Sequence, residues 1–310
     1  MATGKLRFSF ALLVVLAAIN CGRAQENTVD EPPRVVSLAP HLTELAFEAG
    51  IGDLLVGVVE WSDYPAAARD LPRIGDAFRF DLERILRMEA THALAWGGGT
   101  PPGAIARLRE LGLEVDVIEI GTLKEIGRAI ERLGQLGAKP AKAAEKAAAF
   151  RRRLQHFEQD ASGGQPLVEI FYQVSQKPLF TLGGRHVINE VFGLCGARNL
   201  FGDLDTEAAS VDLEAVLVRD PLAIVIGENG GKNNGKNGDE SGTKGQANAP
   251  TRWQMHPDLR AVACDNIMHV DPALLVRPTP RVLNGAATLC EWLEREVRST
   301  ENPACRIADD

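Results

Sequence analysis

Residues 141–157 constrain the fold more than any other stretch of the chain. They run Ala-Lys-Ala-Ala-Glu-Lys-Ala-Ala-Ala-Phe and on to Phe157 without a single β-branched residue. Such a segment is intrinsically helical. At about 1.5 Å per residue, about 18 residues span roughly 27 Å, the width of a small lobe. Gly137 to Pro140 interrupt the chain before this segment, and Asp160-Ala161-Ser162-Gly163-Gly164 end it. A stiff helix therefore divides whatever lies on its two sides.

On both sides, short apolar strands alternate with helical stretches. Before it, strands are expected at 35–38, 55–59, 93–96 and 115–120. Helices are expected at 42–49 (opened by Pro40 and closed by Gly50), about 82–88, 102–111 and 123–136. After it come a strand at 167–174, helices near 188–195 and 213–218, and strands at 223–226 and 267–270. Alternation of this kind means mostly parallel sheets. The expected fold is two doubly wound α/β lobes joined by a single long helix: an N-terminal lobe at 33–138, the connecting helix at 139–160 and a C-terminal lobe at 165–300. An internal echo supports related lobes. Asp81-Leu82-Glu83-Arg84-Ile85-Leu86 precedes an apolar strand ending in Trp96-Gly97-Gly98. Asp212-Leu213-Glu214-Ala215-Val216-Leu217 precedes one ending in Ile226-Gly227. Each reads as an N-capping Asp, an acid in the first turn, a short helix, a strand and a glycine turn.

Residues 1–24 read as a secretory signal. Lys5 and Arg7 start it, Phe8 to Ile19 form its apolar run, and Gly22-Arg23-Ala24 supplies the small residues of a cleavage site. The run is too short to span a bilayer. Cys21 offers a lipoprotein anchor as a second reading, which Asn20 disfavours because a small residue is expected there. Removing residues 1–24 takes away Lys5, Arg7 and Arg23 and no acid, so the formal charge falls from −8 to −11. An acidic surface repels phosphate backbones, which excludes nucleic acid as the expected partner. Four cysteines remain, Cys195, Cys264, Cys290 and Cys305, in an oxidising compartment where a structural, paired role is expected. Residues 227–249, rich in Gly, Asn and Lys, read as a mobile surface insertion that buries too little to order itself.

Motifs for catalysis are missing: there is no GxSxG, HExxH, Walker A loop or strand-linked GxGxxG. Six histidines, at 41, 92, 156, 186, 256 and 269, share no helical face, so no metal site and no catalytic residue is assigned. Large aromatics are more informative, because only 5% of the chain is aromatic. Trp61 follows one strand and Trp96 ends another, just before Gly97-Gly98-Gly99. The crevice beyond the carboxyl ends of parallel strands is where ligands bind in open α/β sheets. Phe180 is a comparable candidate in the second lobe. Position alone leaves two readings open, a face for a large flat apolar ligand and ordinary core-edge packing. Glu83 and Glu214 also carry two readings. One is a favourable interaction with the helix dipole; the other is a pair of exposed acids on one edge, ready to meet arginines of a pseudo-symmetric partner.

These residues resemble the helical-backbone class of periplasmic substrate-binding proteins, and within it the cobalamin-binding components of bacterial ABC importers. The resemblance is carried by Arg34-Val35-Val36-Ser37-Leu38-Ala39-Pro40 with Thr43-Glu44-Leu45-Ala46-Phe47, by Ser62-Asp63-Tyr64-Pro65, Leu82-Glu83-Arg84 and Ala95-Trp96. In the second lobe it is carried by Pro178-Leu179-Phe180-Thr181, Leu194-Cys195-Gly196, Asn199-Leu200-Phe201, Ala223-Ile224-Val225-Ile226 and Arg277-Pro278-Thr279-Pro280-Arg281. It runs from about 33 to 294. The resemblance implies ligand-lining roles for Trp61 (where the family often has Tyr), Tyr64, Phe78, Trp96, Gly97, Phe180 and Arg277. It also implies permease-docking roles for Glu83 and Glu214, and a disulfide between Cys195 and Cys290, with Cys264 and Cys305 left open. Family tryptophans near Ala77 and Ala208 have no counterpart here, although Phe78 or Phe80 stands beside the first. Ala273-Leu274-Leu275-Val276 replaces an acidic and aromatic stretch before Arg277.

The expectation is a periplasmic, monomeric capture protein without catalysis or resident cofactor. Its ligand is a corrinoid such as cobalamin, and its partners are the membrane permease subunits of an ABC importer. A haem or ferric-siderophore binder of the same class is the first alternative; an exported α/β enzyme is the second.

Overall fold

The computed structural model describes residues 31–76, 78–160, 166–228 and 252–299, together with 302 and 305. Expectations for the signal segment with Cys21, for the turn at 161–164 and for nearly all of the insertion at 227–249 fall outside the described residues.

The first lobe comprises β1 (Val35–Ser37), α1 (Pro40–Glu48), β2 (Leu55–Val58), α2 (Leu82–Arg87), β3 (His92–Trp96), α3 (Pro102–Glu110) and β4 (Glu114–Ile118). Its sheet is all-parallel with order β2-β1-β3-β4. Val35, Val36 and Ser37 of central β1 are fully buried, as expected of a strand covered on both faces. Two helices follow, α4 (Leu123–Gly134) and α5 (Pro140–Asp160). Helix α4 starts with Glu125 accepting from the N–H groups of Gly121 and Thr122, at 2.8 and 3.0 Å. It buries Leu123, Ile126, Ala129, Ile130 and Leu133, one helical stripe. The matching stripe on α5 is Ala143, Ala147, Phe150 and Leu154. Gly134 permits the close approach of the two helices, since a Cβ there would lie 2.2 Å from the Ala143 Cβ.

The second lobe contains β5 (Val168–Gln173), β6 (Ser175–Gln176), β7 (Leu179–Leu182), α6 (Ile188–Leu194), β8 (Ala197–Asn199), β9 (Ala208–Ser210), α7 (Leu213–Arg219), β10 (Ala223–Gly227), α8 (Arg260–Ala263), β11 (Ile267–Val270) and α9 (Val282–Trp292). Its parallel sheet has order β11-β10-β5-β8. Taken in chain order within each lobe, both parallel sheets read 2-1-3-4, and α2 and α7 each lead into the third strand. The six-residue echo thus marks equivalent places in two like-ordered sheets. One detail differs: Asp81 accepts from the Arg84 N–H, whereas the Asp212 side chain makes no cap bond.

A small antiparallel sheet, β6-β7-β9, adds to the second lobe and was not expected from the sequence. The last helix, α9, is tied to the end of α6 by the Cys195–Cys290 disulfide. Cys264 and Cys305 form a second disulfide. The lobes share their core. One continuous cluster of buried side chains runs from α1 and β1 through α4 and α5 into β5, α6 and α9. Polar bonds reinforce this junction, with the Leu123 N–H donating to Glu190 at 2.7 Å and Arg153 donating to the Leu283 carbonyl at 3.2 Å.

Candidate functional site

The segments beyond the carboxyl ends of β1, β2 and β11 meet between the lobes. Helix α1 begins directly after β1, with Pro40 in its first turn. This start places His41 and Glu44 on successive turns, both nearly inaccessible. A buried carboxylate must be paired, or it loses its hydration without return. Glu44 is paired by two arginines of the other lobe. Its Oε1 accepts from Arg277 at 3.0 Å and from Arg281 at 2.7 Å, and its Oε2 accepts from Arg281 Nε at 2.9 Å. Arg277 also donates to Asp63 at 3.1 Å and to the Trp61 carbonyl at 3.2 Å. The Arg281 guanidinium lies 3.9 Å from the centre of the Tyr64 ring, within cation–π range.

A buried hydroxyl chain holds the loop that carries Trp61, Asp63 and Tyr64. Thr43 donates to Ser37 at 2.9 Å and lies 3.1 Å from Ser62, so α1, β1 and the loop are fastened together. Arg73 donates to the Ser62 carbonyl from behind. Trp61 itself has φ 64°, a left-handed conformation unfavourable for a bulky residue. Such a conformation persists where the surroundings over-determine it. Its indole remains 57% exposed, and Tyr64 and Phe78 are 45% and 68% exposed. Phe78 sits on the neighbouring loop, whose Gly75 carbonyl accepts from the Glu60 N–H at 2.8 Å. Three large aromatics thus stand in solvent on adjoining loops of the first lobe.

Trp96 stands in different surroundings from Trp61. It packs partly buried against the core, with its edge toward His41 at 5.3 Å between ring centres. Its own turn covers it. A Cβ on Gly99 would come within 2.1 Å of the indole, and one on Gly98 within 2.9 Å of its nitrogen. Gly97 is constrained by another neighbour, Glu119, 2.3 Å from where its Cβ would be. Gly98 and Gly99 therefore let the turn close over Trp96. Phe180 is half-buried on β7, paired across the small sheet with Ser175 and Ser210. Glu83 and Glu214 lie far from burial, each exposed on the first turn of its helix.

Electrostatics quieten this region. Burial, with the Arg277 charge second, lowers the His41 pKa to about 3, so its ring is neutral. Its Nε2 has no hydrogen-bond partner among the described residues. Burial also pushes the Tyr172 hydroxyl up, helped by Asp271, which leaves it a phenol rather than a phenolate. Among the described residues, no group of three or more His, Cys, Asp or Glu is placed to hold a metal ion. Ser62 and Thr43 bond one another and Ser37 rather than a base. The geometry holds surfaces in place and offers no reactive pair.

Of the residues expected to line the ligand, Trp61 and Tyr64 lie against Arg277 and Arg281 of the second lobe, and Phe78 stands exposed on the loop beside them. Sequence reasoning did not single out Glu44, Asp63, His41 or Arg281, although three of these lie inside quoted motifs. Two arginines four residues apart, on a chain with a buried-looking Glu in its first helix, were the available signal. Arg185, another arginine of the second lobe, is bound bidentately by Asp205 at 2.6 and 2.7 Å.

Residues 35–246 match the model of the family described as periplasmic binding protein. The chain belongs to that family. It is a family of periplasmic binding proteins and not of enzymes. The vitamin B12-binding protein of Vibrio cholerae is 38% identical over 261 residues, covering 84% of this chain and 89% of that relative. A crystal structure of the periplasmic vitamin B12 binding protein BtuF of Vibrio cholerae aligns with a TM-score of 0.74 at 36% identity, over 85% of this chain and 97% of that one. A periplasmic heme binding protein from Pseudomonas aeruginosa aligns with a TM-score of 0.70 at 24% identity, over 88% and 97% of the two chains, and bears on the fold alone. The fold family expected from the sequence is thereby established.

Proposed function

We propose that this chain captures a corrinoid, cobalamin or a near relative, between its two lobes and hands it to the permease of an ABC importer. The observation that carries the reading is the exposed aromatic set Trp61, Tyr64 and Phe78 on adjoining loops of the first lobe, the first two beside the arginines of the second. Large flat ligands are held by such rings through area burial and stacking. The likeness to vitamin B12-binding relatives supports the choice of ligand. Capture involves no chemistry: the corrinoid is cargo, and the protein has no resident cofactor in this reading. Residues 1–24 act as the export signal, and the mature chain works as a monomer.

Titration with cyanocobalamin, haemin and a ferric siderophore tests the ligand. Saturable quenching of tryptophan fluorescence and a rise in melting temperature are expected with cobalamin. If cobalamin changes neither while haemin or the siderophore does, the corrinoid assignment falls.

Glu83 and Glu214 are the docking acids of this reading. They occupy equivalent helices of like-ordered lobes, and both are exposed. A permease of two similar subunits would offer one basic pocket to each. The double variant Glu83→Lys, Glu214→Lys is expected to lose transport and permease binding while its cobalamin titration is unchanged. Normal transport by that variant would remove both residues from the docking role.

A further inference from the structure

Arginine is charged at every accessible pH, and an unspent guanidinium on a ligand face recruits carboxylates through paired hydrogen bonds. The second lobe sends two guanidiniums to the interlobe face, yet neither has charge to spare. Glu44 uses both oxygens on Arg277 and Arg281. Asp63 takes a further bond from Arg277, and the Trp61 carbonyl takes another. Two positive groups thus meet two negative ones, and Asp271 adds a third carboxylate near enough to act on Arg281. Neighbouring His41 is neutral and adds nothing. Arg73, behind the loop, is turned onto the carbonyls of Ser62, Ala68 and Leu71. Arg185 is closed on Asp205. Arg277 and Arg281 nonetheless keep 20% and 18% of their side chains accessible, so a ligand reaches their edges.

We propose that Glu44 and Asp63 set ligand specificity by charge, cancelling Arg277 and Arg281 so that the interlobe face accepts an uncharged macrocycle and discriminates against an anionic one. The proposal rests on the capture reading above and adds the rule by which that site chooses. A dicarboxylate such as haemin must either compete with Glu44 for the guanidiniums or bring its own negative charge beside Glu44 and Asp63. Either course costs affinity, because like charges close together in a part-buried place are weakly screened. An amide-edged macrocycle faces no such penalty.

The test titrates haemin and cyanocobalamin into the wild type, Glu44→Gln and Asp63→Asn. Freeing a charge-assisted bonding site is expected to tighten haemin by about tenfold in Glu44→Gln and by about threefold in Asp63→Asn. The gain in Asp63→Asn, at an exposed acid, should shrink in about 0.5 M NaCl, whereas the gain in Glu44→Gln, at a buried one, should largely persist. Haemin affinity unchanged in a folded Glu44→Gln protein would overturn the proposal. If Glu44→Gln does not fold, Asp63→Asn decides alone, since Asp63 is 57% exposed and its replacement buries nothing new; no gain there also overturns it. Failure of wild-type protein to bind cobalamin would end the corrinoid reading separately, and the haemin comparison among variants would still decide the charge rule.

Discussion

At the residue scale, the two tryptophans first grouped together stand in different surroundings. Trp61 is exposed and held in a strained conformation, whereas Trp96 lies under its own glycine turn against the core. Trp61→Ala is expected to weaken cobalamin binding by about 1–3 kcal/mol, the usual cost of losing an aromatic anchor, with little change in melting temperature. Trp96→Ala should cost about 3 kcal/mol of folding stability, as large-to-small changes in packed sites do. Isothermal titration and chemical denaturation of both variants separate these outcomes. His41 supplies a second prediction. Its pKa falls from 6.5 unfolded to about 3 folded, so below pH 6.5 the unfolded chain takes up the extra proton. Stability is therefore lost as pH drops from 6.5 toward 3 and is fully present above that window. His41→Phe keeps the ring beside Trp96, removes the proton site and sacrifices no Nε2 bond. It should recover on the order of 2 kcal/mol at pH 4.5 relative to wild type, read as urea midpoints at pH 4.5 and 7.

At the element scale, what was legible in the sequence was what local chemistry determines. Strands β1, β3 and β10 are short apolar runs buried on both faces, and α5 is a long run of strong helix formers, so both announce themselves without reference to the rest of the chain. The β6-β7-β9 sheet did not, because its strands are two to four residues long and β7 pairs with β9 across α6 and β8. Helix α9 is only weakly marked by its local sequence. Asn284, Gly285 and Thr288 lower its intrinsic tendency, and Gly285 is there because a Cβ would lie 2.1 Å from the Leu274 carbonyl oxygen. The Glu44 pairing spans 233 and 237 residues, a distance over which no local pattern operates. Trp253, which follows the Gly/Asn-rich stretch, is fully buried with its indole donating to Gln173, a core role invisible in its polar surroundings. The disulfides staple these less legible elements. Cys195–Cys290 closes a separation of 95 residues, which contributes about 4 kcal/mol in the chain-entropy model. The double variant Cys195→Ser, Cys290→Ser should lose about that much in guanidinium denaturation, and peptide mapping of the oxidised wild type should find both thiols joined.

At the scale of the whole molecule, the continuous core through α4 and α5 has a thermal consequence. Two lobes connected by a bare linker would melt as two events, each with its own enthalpy, and cargo touching one lobe would shift only that event. Here the largest buried cluster runs through both lobes, beside a smaller one that each lobe keeps to itself. Unzipping either sheet strips the same helices of their partners, so the cost of opening is shared. Calorimetry should record a single transition whose van't Hoff and calorimetric enthalpies agree. Two resolved peaks would show that the shared core does not couple the lobes. Cargo should move the whole peak upward by mass action, even for those parts of the chain farthest from it. Such a protein reports occupancy through its stiffness: the loaded form differs from the empty one less in outline than in the free energy needed to pull it apart.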